Sequence, residues 1–171
     1  GIDPAMFDER FTTLAQVVAG AKLLGEVSPR VHARVLANGE LLATELGVAY
    51  LRKEGIDVAW LDIRDYMEST TLRDQTERAR YISARCDFSP DKALQERFAA
   101  IKGVILSQGF IARNAQGETV LLGRGGSDTS GAYLAGKLEA RRLEIWTDAP
   151  GFFSADPKAV LLILAGLAML I

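Results

Sequence analysis

The sequence predicts an α/β protein, a sandwich of helices on a mostly parallel sheet, and three observations carry that expectation. Two short apolar runs, at 58–63 and 103–107, suit buried strands. Segments with helical spacing separate them, which is the alternation expected of parallel strands joined by crossovers. With 171 residues, 49% hydrophobic and 25% charged, the chain has the profile of a single soluble domain able to bury a core.

Residues 1–6 read like a vector remnant and are set apart from the fold. Residues 7 to about 24 place Phe7, Phe11, Leu14, Val18 and Ala21 at helical spacing. Ser28-Pro29 is an N-cap followed by proline at the first helical position; a long helix then runs to Lys53 and stops near Gly55. After the strand at 58–63, helices are expected at 73–84 and 90–101, and a second strand at 103–107. Residues 110–113 and 118–122, joined through 114–117, form a β-hairpin pattern. A glycine-rich turn at 123–126 leads into a helix from Ser127 to about Ala140, and 143–147 reads as another strand.

The charge balance, 20 basic against 22 acidic residues for a net of -2, offers no basic patch for nucleic acid. One cysteine, Cys86, excludes an intrachain disulfide and a cysteine-built zinc site. One histidine, His32, removes most hydrolase and metal schemes that need an imidazole. Any chemistry must use carboxylates, Arg or Lys, hydroxyls and backbone amides, and a reducing cytoplasm is the expected compartment. No secretory signal is visible and no metal site is expected.

Three places could carry chemistry. At 122–128 the run Leu-Gly-Arg-Gly-Gly-Ser-Asp puts Gly125, Gly126 and Ser127 before a helix start, whose free amides and positive dipole end hold anions. Arg124 adds a planar fork for a carboxylate or phosphate, and Asp128 could receive an ammonium group, so the two could clamp both ends of an amino acid. The plainer alternative is a strand-to-helix connection with Ser127 as N-cap. Glu40 falls opposite Arg30, Arg34, Asn38, Glu45 and Arg52 on its helix, in line with Leu36, Ala43, Gly47 and Leu51. A carboxylate there faces the core unless a pocket meets it, or else bends out to solvent. Neighbouring Gly39 hints at a close backbone approach. Finally, Thr147 and Asp148 stand at the carboxyl end of a strand, with Phe153 and Lys158 in the loop beyond, a set that could hold a nucleotide or form a simple Pro-Gly turn.

Four of these segments, Asn38-Gly39-Glu40-Leu41-Leu42, Ser107-Gln108-Gly109-Phe110-Ile111, 122–130 and 145–157, resemble in order the motifs of aspartate kinases, in the amino-acid kinase superfamily. The resemblance covers about residues 28–158, making 7–158 a partial kinase domain and 159–171 an apolar segment of unclear origin. It implies a three-layer αβα sandwich, truncated at both ends, and an enzyme that moves the γ-phosphate of ATP, with Mg²⁺, onto the side-chain carboxylate of L-aspartate. Glu40, Phe110 and Arg124 to Asp128 would line the aspartate pocket, Arg124 taking a carboxylate and Asp128 the amino group. Thr147, Asp148, Phe153 and Lys158 would lie along ATP; Lys158 stands where arginine is commoner, and Phe153 where tyrosine is. A homo-oligomer of the full-length parent is left open.

The family's opening Lys-Phe-Gly-Gly-Thr-Ser segment, whose lysine contacts the transferred phosphate, has no counterpart, so the catalytic group is unknown and the chain is expected to turn over poorly alone. The apolar run at 159–171 is too short for a membrane span of about 20 residues. Two other readings stand beside this one: a relative acting on acetylglutamate, glutamate or a nucleotide monophosphate, and a non-catalytic module with the same fold. An acylated amine would not need Asp128.

Overall fold

The computed structural model describes residues 1–146. Asp3 caps a short 3₁₀ turn, Pro4–Phe7, that runs into α1, Asp8–Leu24. Gly25, at φ 69°, ends α1 with its N–H on Ala21 O at 3.0 Å. The apolar stripe expected to face the core does not reach it: no residue of α1 is buried, and Phe11 and Val18 are half exposed. α1 instead lies along α2, where Arg10 Nε donates to Glu45 Oε2 at 2.8 Å.

α2, Pro29–Lys53, starts as its sequence dictates, with Ser28 Oγ accepting from the Val31 amide at 3.3 Å and proline in the first turn. Its buried stripe is Ala33, Ala37, Leu41 and Val48. The line assigned above is therefore displaced: Leu36 and Ala43 are exposed, and Glu40 sits half-buried at the edge of the true core face. Small side chains on that face let the helix approach β1, β4 and β6 closely.

β1, Val58–Leu61, pairs in parallel with β4, Val104–Ser107, from Val58 opposite Val104 to Leu61 opposite Ser107. β2, Ser69–Thr70, runs antiparallel to β3, Arg85–Cys86. β5, Ile111–Arg113, runs antiparallel to β6, Thr119–Leu121, as the hairpin pattern requires, with Gly117 at φ 77° closing the turn onto Asn114 O at 2.9 Å. The ladders among the described residues thus comprise one parallel pair and two antiparallel ones.

The remaining helices are shorter than their apolar spacing implied. α3 is Glu77–Ile82, capped by Thr76, because Arg73 and Asp74 are spent in a turn with Asp74 at φ 63°. α4 is Lys92–Ala99, begun by Asp91, whose Oδ1 accepts from the Leu94 amide at 3.0 Å. α5 is Gly126–Lys137, and Leu138 to Ala140 turn out of it. Residues 143–146 form no strand and meet no partner edge among the described residues, Leu143 and Trp146 are exposed, and Thr147 lies outside the described residues.

The core joins α2 to the hairpin: Ala33, Ala37 and Leu41 meet Ile63, Met67, Ile111, Ala112, Val120 and Leu121. Each large aliphatic side chain so buried contributes roughly 1.5–3 kcal/mol. β6 is buried along its whole length, so Thr119 needs a partner, and Arg64 Nη1 supplies it at 2.9 Å while Nε donates to Asp62 Oδ1 at 2.8 Å. Partial burial alone would raise the Asp62 pKa, but the hydrogen bonds and charge of Arg64 outweigh it and hold the carboxyl below its ordinary range.

Candidate functional site

The site forms where the β6–α5 turn meets the loop between β4 and β5. Gly123 and Gly125, at φ 80° and 69°, take the left-handed conformation that lets four residues reverse the chain into a helix. Gly126 N–H closes the turn on Gly123 O at 3.1 Å. The N-cap is Gly125, with no side-chain cap, and not Ser127, which sits exposed one position inside the helix. With no cap residue, the amides of Ser127 and Asp128 find no backbone or side-chain acceptor among the described residues.

Two glycines serve packing rather than turning. A Cβ on Gly126 would lie 2.6 Å from Phe110 Cδ2, and one on Gly109 would lie 2.8 Å from Ser127 Cα. The loop and the helix start are therefore in backbone contact. Phe110 itself is held at φ 69°, unusual for an aromatic residue. Its N–H donates to Ser130 Oγ at 2.8 Å, and that hydroxyl donates to Gly126 O at 2.7 Å. Phe110 O accepts from Leu122 N–H at 2.8 Å. Strain of this kind persists only where surrounding contacts over-determine it, and it recurs at ligand sites.

Across from this turn α2 presents Glu40. Together Glu40, Phe110, Gly123, Arg124, Gly125, Gly126, Ser127 and Asp128 line an open concavity of about 350 Å³. All seven residues assigned to an acceptor pocket from the sequence thus meet in one place. None of Glu40, Arg124 and Asp128 joins a salt bridge among the described residues. A second concavity, of about 390 Å³, contains Asp91, Arg97, Arg113 and Lys137 but has spent charges, Arg113 on Glu68 at 3.2 Å and Lys137 near Asp91 at 4.0 Å. The first combines charge of both signs with the uncapped start of α5. Thr147, Asp148, Phe153 and Lys158 lie outside the described residues.

Gly39 does not mark a close approach: nothing lies within 4 Å of where its Cβ would stand. The supporting residues that sequence reasoning passed over are Thr44, Gln108 and Ser130. Gln108 is buried yet polar, its Oε1 accepting from Ile63 N at 2.9 Å and its Nε2 donating to Thr44 Oγ1 at 2.8 Å. The available signal was a hydroxyl one helical turn beyond Glu40 and an amide directly before Gly109-Phe110.

No group of three or more His, Cys, Asp or Glu able to hold a metal occurs among the described residues. The arrangement offers instead a cation, a carboxylate pair and helix-terminal amides around open space, which suits a small zwitterion or a carboxylate.

The model of the amino acid kinase family matches residues 6–163. Lysine-sensitive aspartokinase 3 of Escherichia coli (strain K12) is 36% identical over 159 residues, which is 89% of this chain and 32% of that protein. The aspartokinase of Chlamydia pneumoniae is 35% identical over 135 residues, 79% of this chain and 29% of its own. Among solved structures, E. coli aspartokinase III in complex with aspartate and ADP superimposes with a TM-score of 0.71 at 33% identity, over 91% of this chain and 34% of that one. The chain spans about a third of the length of these relatives.

Proposed function

Since this chain belongs to the amino acid kinase family, with its αβα fold, we propose that the full-length protein carrying it is an aspartate kinase. It transfers the γ-phosphoryl group of ATP to the side-chain carboxylate of L-aspartate, giving 4-phospho-L-aspartate and ADP. The single observation that carries the reading is the meeting of Glu40, Phe110 and the segment from Arg124 to Asp128 around one concavity. The chain's likeness to aspartokinases, one of them solved with aspartate and ADP, supports the same acceptor.

In this reading Arg124 takes one carboxylate of aspartate in a two-pronged contact, and Asp128 receives its ammonium group. Amides of Ser127 and Asp128, at the positive end of α5, steady negative charge on the acceptor. Phe110 forms a wall and Glu40 faces it from α2. Catalysis of this type rests on holding acceptor and phosphoryl group in line and neutralising charge, with little covalent work for the protein. Thr147, Asp148, Phe153 and Lys158 belong to the nucleotide side of the proposal. Mg²⁺ fits as an ion carried on the nucleotide phosphates, which is how it binds where no protein cage exists.

The test is trapping of acyl phosphate with hydroxylamine, using the full-length protein and L-aspartate, N-acetylglutamate and glutamate as rival acceptors, beside Arg124→Ala. A hydroxamate with aspartate alone, lost in the variant, is expected. A product with N-acetylglutamate in preference, or none with any acceptor, overturns the assignment.

A further inference from the structure

The acceptor concavity is assembled from two parts of the chain that share no backbone ladder: α2, which brings Glu40, and the β4–β5 loop, which brings Phe110 and seats the α5 turn. One hydroxyl joins them. Thr44 Oγ1 lies one turn beyond Glu40, accepts from Gln108 Nε2 at 2.8 Å and from Trp60 Nε1 at 3.0 Å, and is 3.0 Å from Glu40 O as donor. With two protons accepted and one given, its capacity is full. Gln108, 2% exposed, spends its other end on the Ile63 amide at 2.9 Å, so neither group of the side chain is free to move. Gly109 and Phe110 follow it directly.

We propose that Thr44 and Gln108 are positioning residues, whose hydrogen bond sets the gap between Glu40 and the Phe110 loop and with it the fit of the acceptor. The inference rests on the reading of this concavity as the amino-acid site. Neither residue lines the concavity, so each acts through others. A slip of the loop against α2 carries the α5 start with it, because Gly109 and Ser127 are in contact.

Thr44→Val keeps the shape and removes the hydroxyl; Thr44→Ser keeps the hydroxyl. In the full-length protein, Thr44→Val is expected to raise the KM for L-aspartate about tenfold or more with the KM for ATP unchanged, and Thr44→Ser to restore it. In this chain, ¹⁵N-labelled, Thr44→Val is expected to move the amide signals of Gly109 and Phe110 while that of Gly117, in the hairpin turn, stays in place. If Thr44→Val does not fold, Gln108→Glu carries the same test, its carboxylate still accepting from Ile63 but having no proton for Thr44. A folded variant whose Gly109 and Phe110 signals stay put, or whose aspartate and ATP constants rise together, overturns the inference. If the wild-type protein phosphorylates no aspartate, the functional reading fails separately, and the amide signals then decide the positioning role.

Discussion

Replacing Gly109 with alanine asks whether the loop and the start of α5 are in true backbone contact. The added Cβ would stand 2.8 Å from Ser127 Cα, 2.9 Å from its Cβ and 3.0 Å from its Oγ. A serine hydroxyl can rotate away, but the Cα cannot, because Gly126 N–H on Gly123 O at 3.1 Å and Thr129 N–H on Gly125 O at 3.0 Å fix that turn. Relief therefore means moving helix and loop apart, an overpacking cost of about 1–3 kcal/mol. For a domain of this length each kcal/mol shifts Tm by about 2–4 °C, so a fall of roughly 2–12 °C is expected. Gly39→Ala makes the same chemical change in mid-helix with nothing within 4 Å. It is expected to stabilise by about 1 kcal/mol, since glycine is that much less favourable than alanine in a helix interior. Thermal unfolding followed by circular dichroism, with wild type and both variants side by side, reads the two signs. Gly109→Ala melting with or above the wild type would refute the contact argument.

Other outcomes follow from the same contacts. Ser130→Ala leaves the Phe110 N–H without its acceptor beside a buried position and should cost about 1–3 kcal/mol in urea unfolding, with recovery in Ser130→Thr. Burial pushes the Cys86 thiol up to about 11 from an ordinary 9.0, so it should resist thiol reagents at pH 8 until the chain unfolds. The unfolded thiol loses its proton first, so its contribution to stability is whole below pH 9.0 and lost as pH rises towards about 11, a slope that Cys86→Ser should flatten. Asp62 runs the other way: its depressed pKa supports the fold above the ordinary value of 3.8 and is lost as pH falls below it, and Asp62→Asn should weaken that acid slope.

Much of this chain is legible because its signals are local. Ser28-Pro29 starts α2 through bonds three residues long, the Asn114 to Gly117 turn closes a hairpin, and the apolar runs of β1 and β4 become neighbouring parallel strands. The turn from Gly123 to Gly126 reads as an anion-facing helix start because glycine at positive φ and free amides follow from residue type and order. Even the gathering of Glu40 and Phe110 with Arg124 was expected, but from the resemblance of ordered motifs and not from spacing.

What periodicity could not decide is which neighbour covers which face. The stripe on α1 has the right spacing for a core helix yet stays half exposed, and the buried face of α2 is Ala33, Ala37, Leu41 and Val48, shifted from the line through Glu40. Residues 143–146 have strand composition and no ladder among the described residues, since a strand exists only where a partner edge meets it. Gly39 and Gly109 look alike in sequence, one beside open space and the other against a helix backbone. Residue type and local order decided the start of α2, the hairpin turn, the parallel neighbours β1 and β4, and the residue types at the site. The tertiary structure alone decided burial, the contact of Gly109 with Ser127, and the hydroxyl bridge from Thr44 to Gln108, because each depends on residues far apart in the chain.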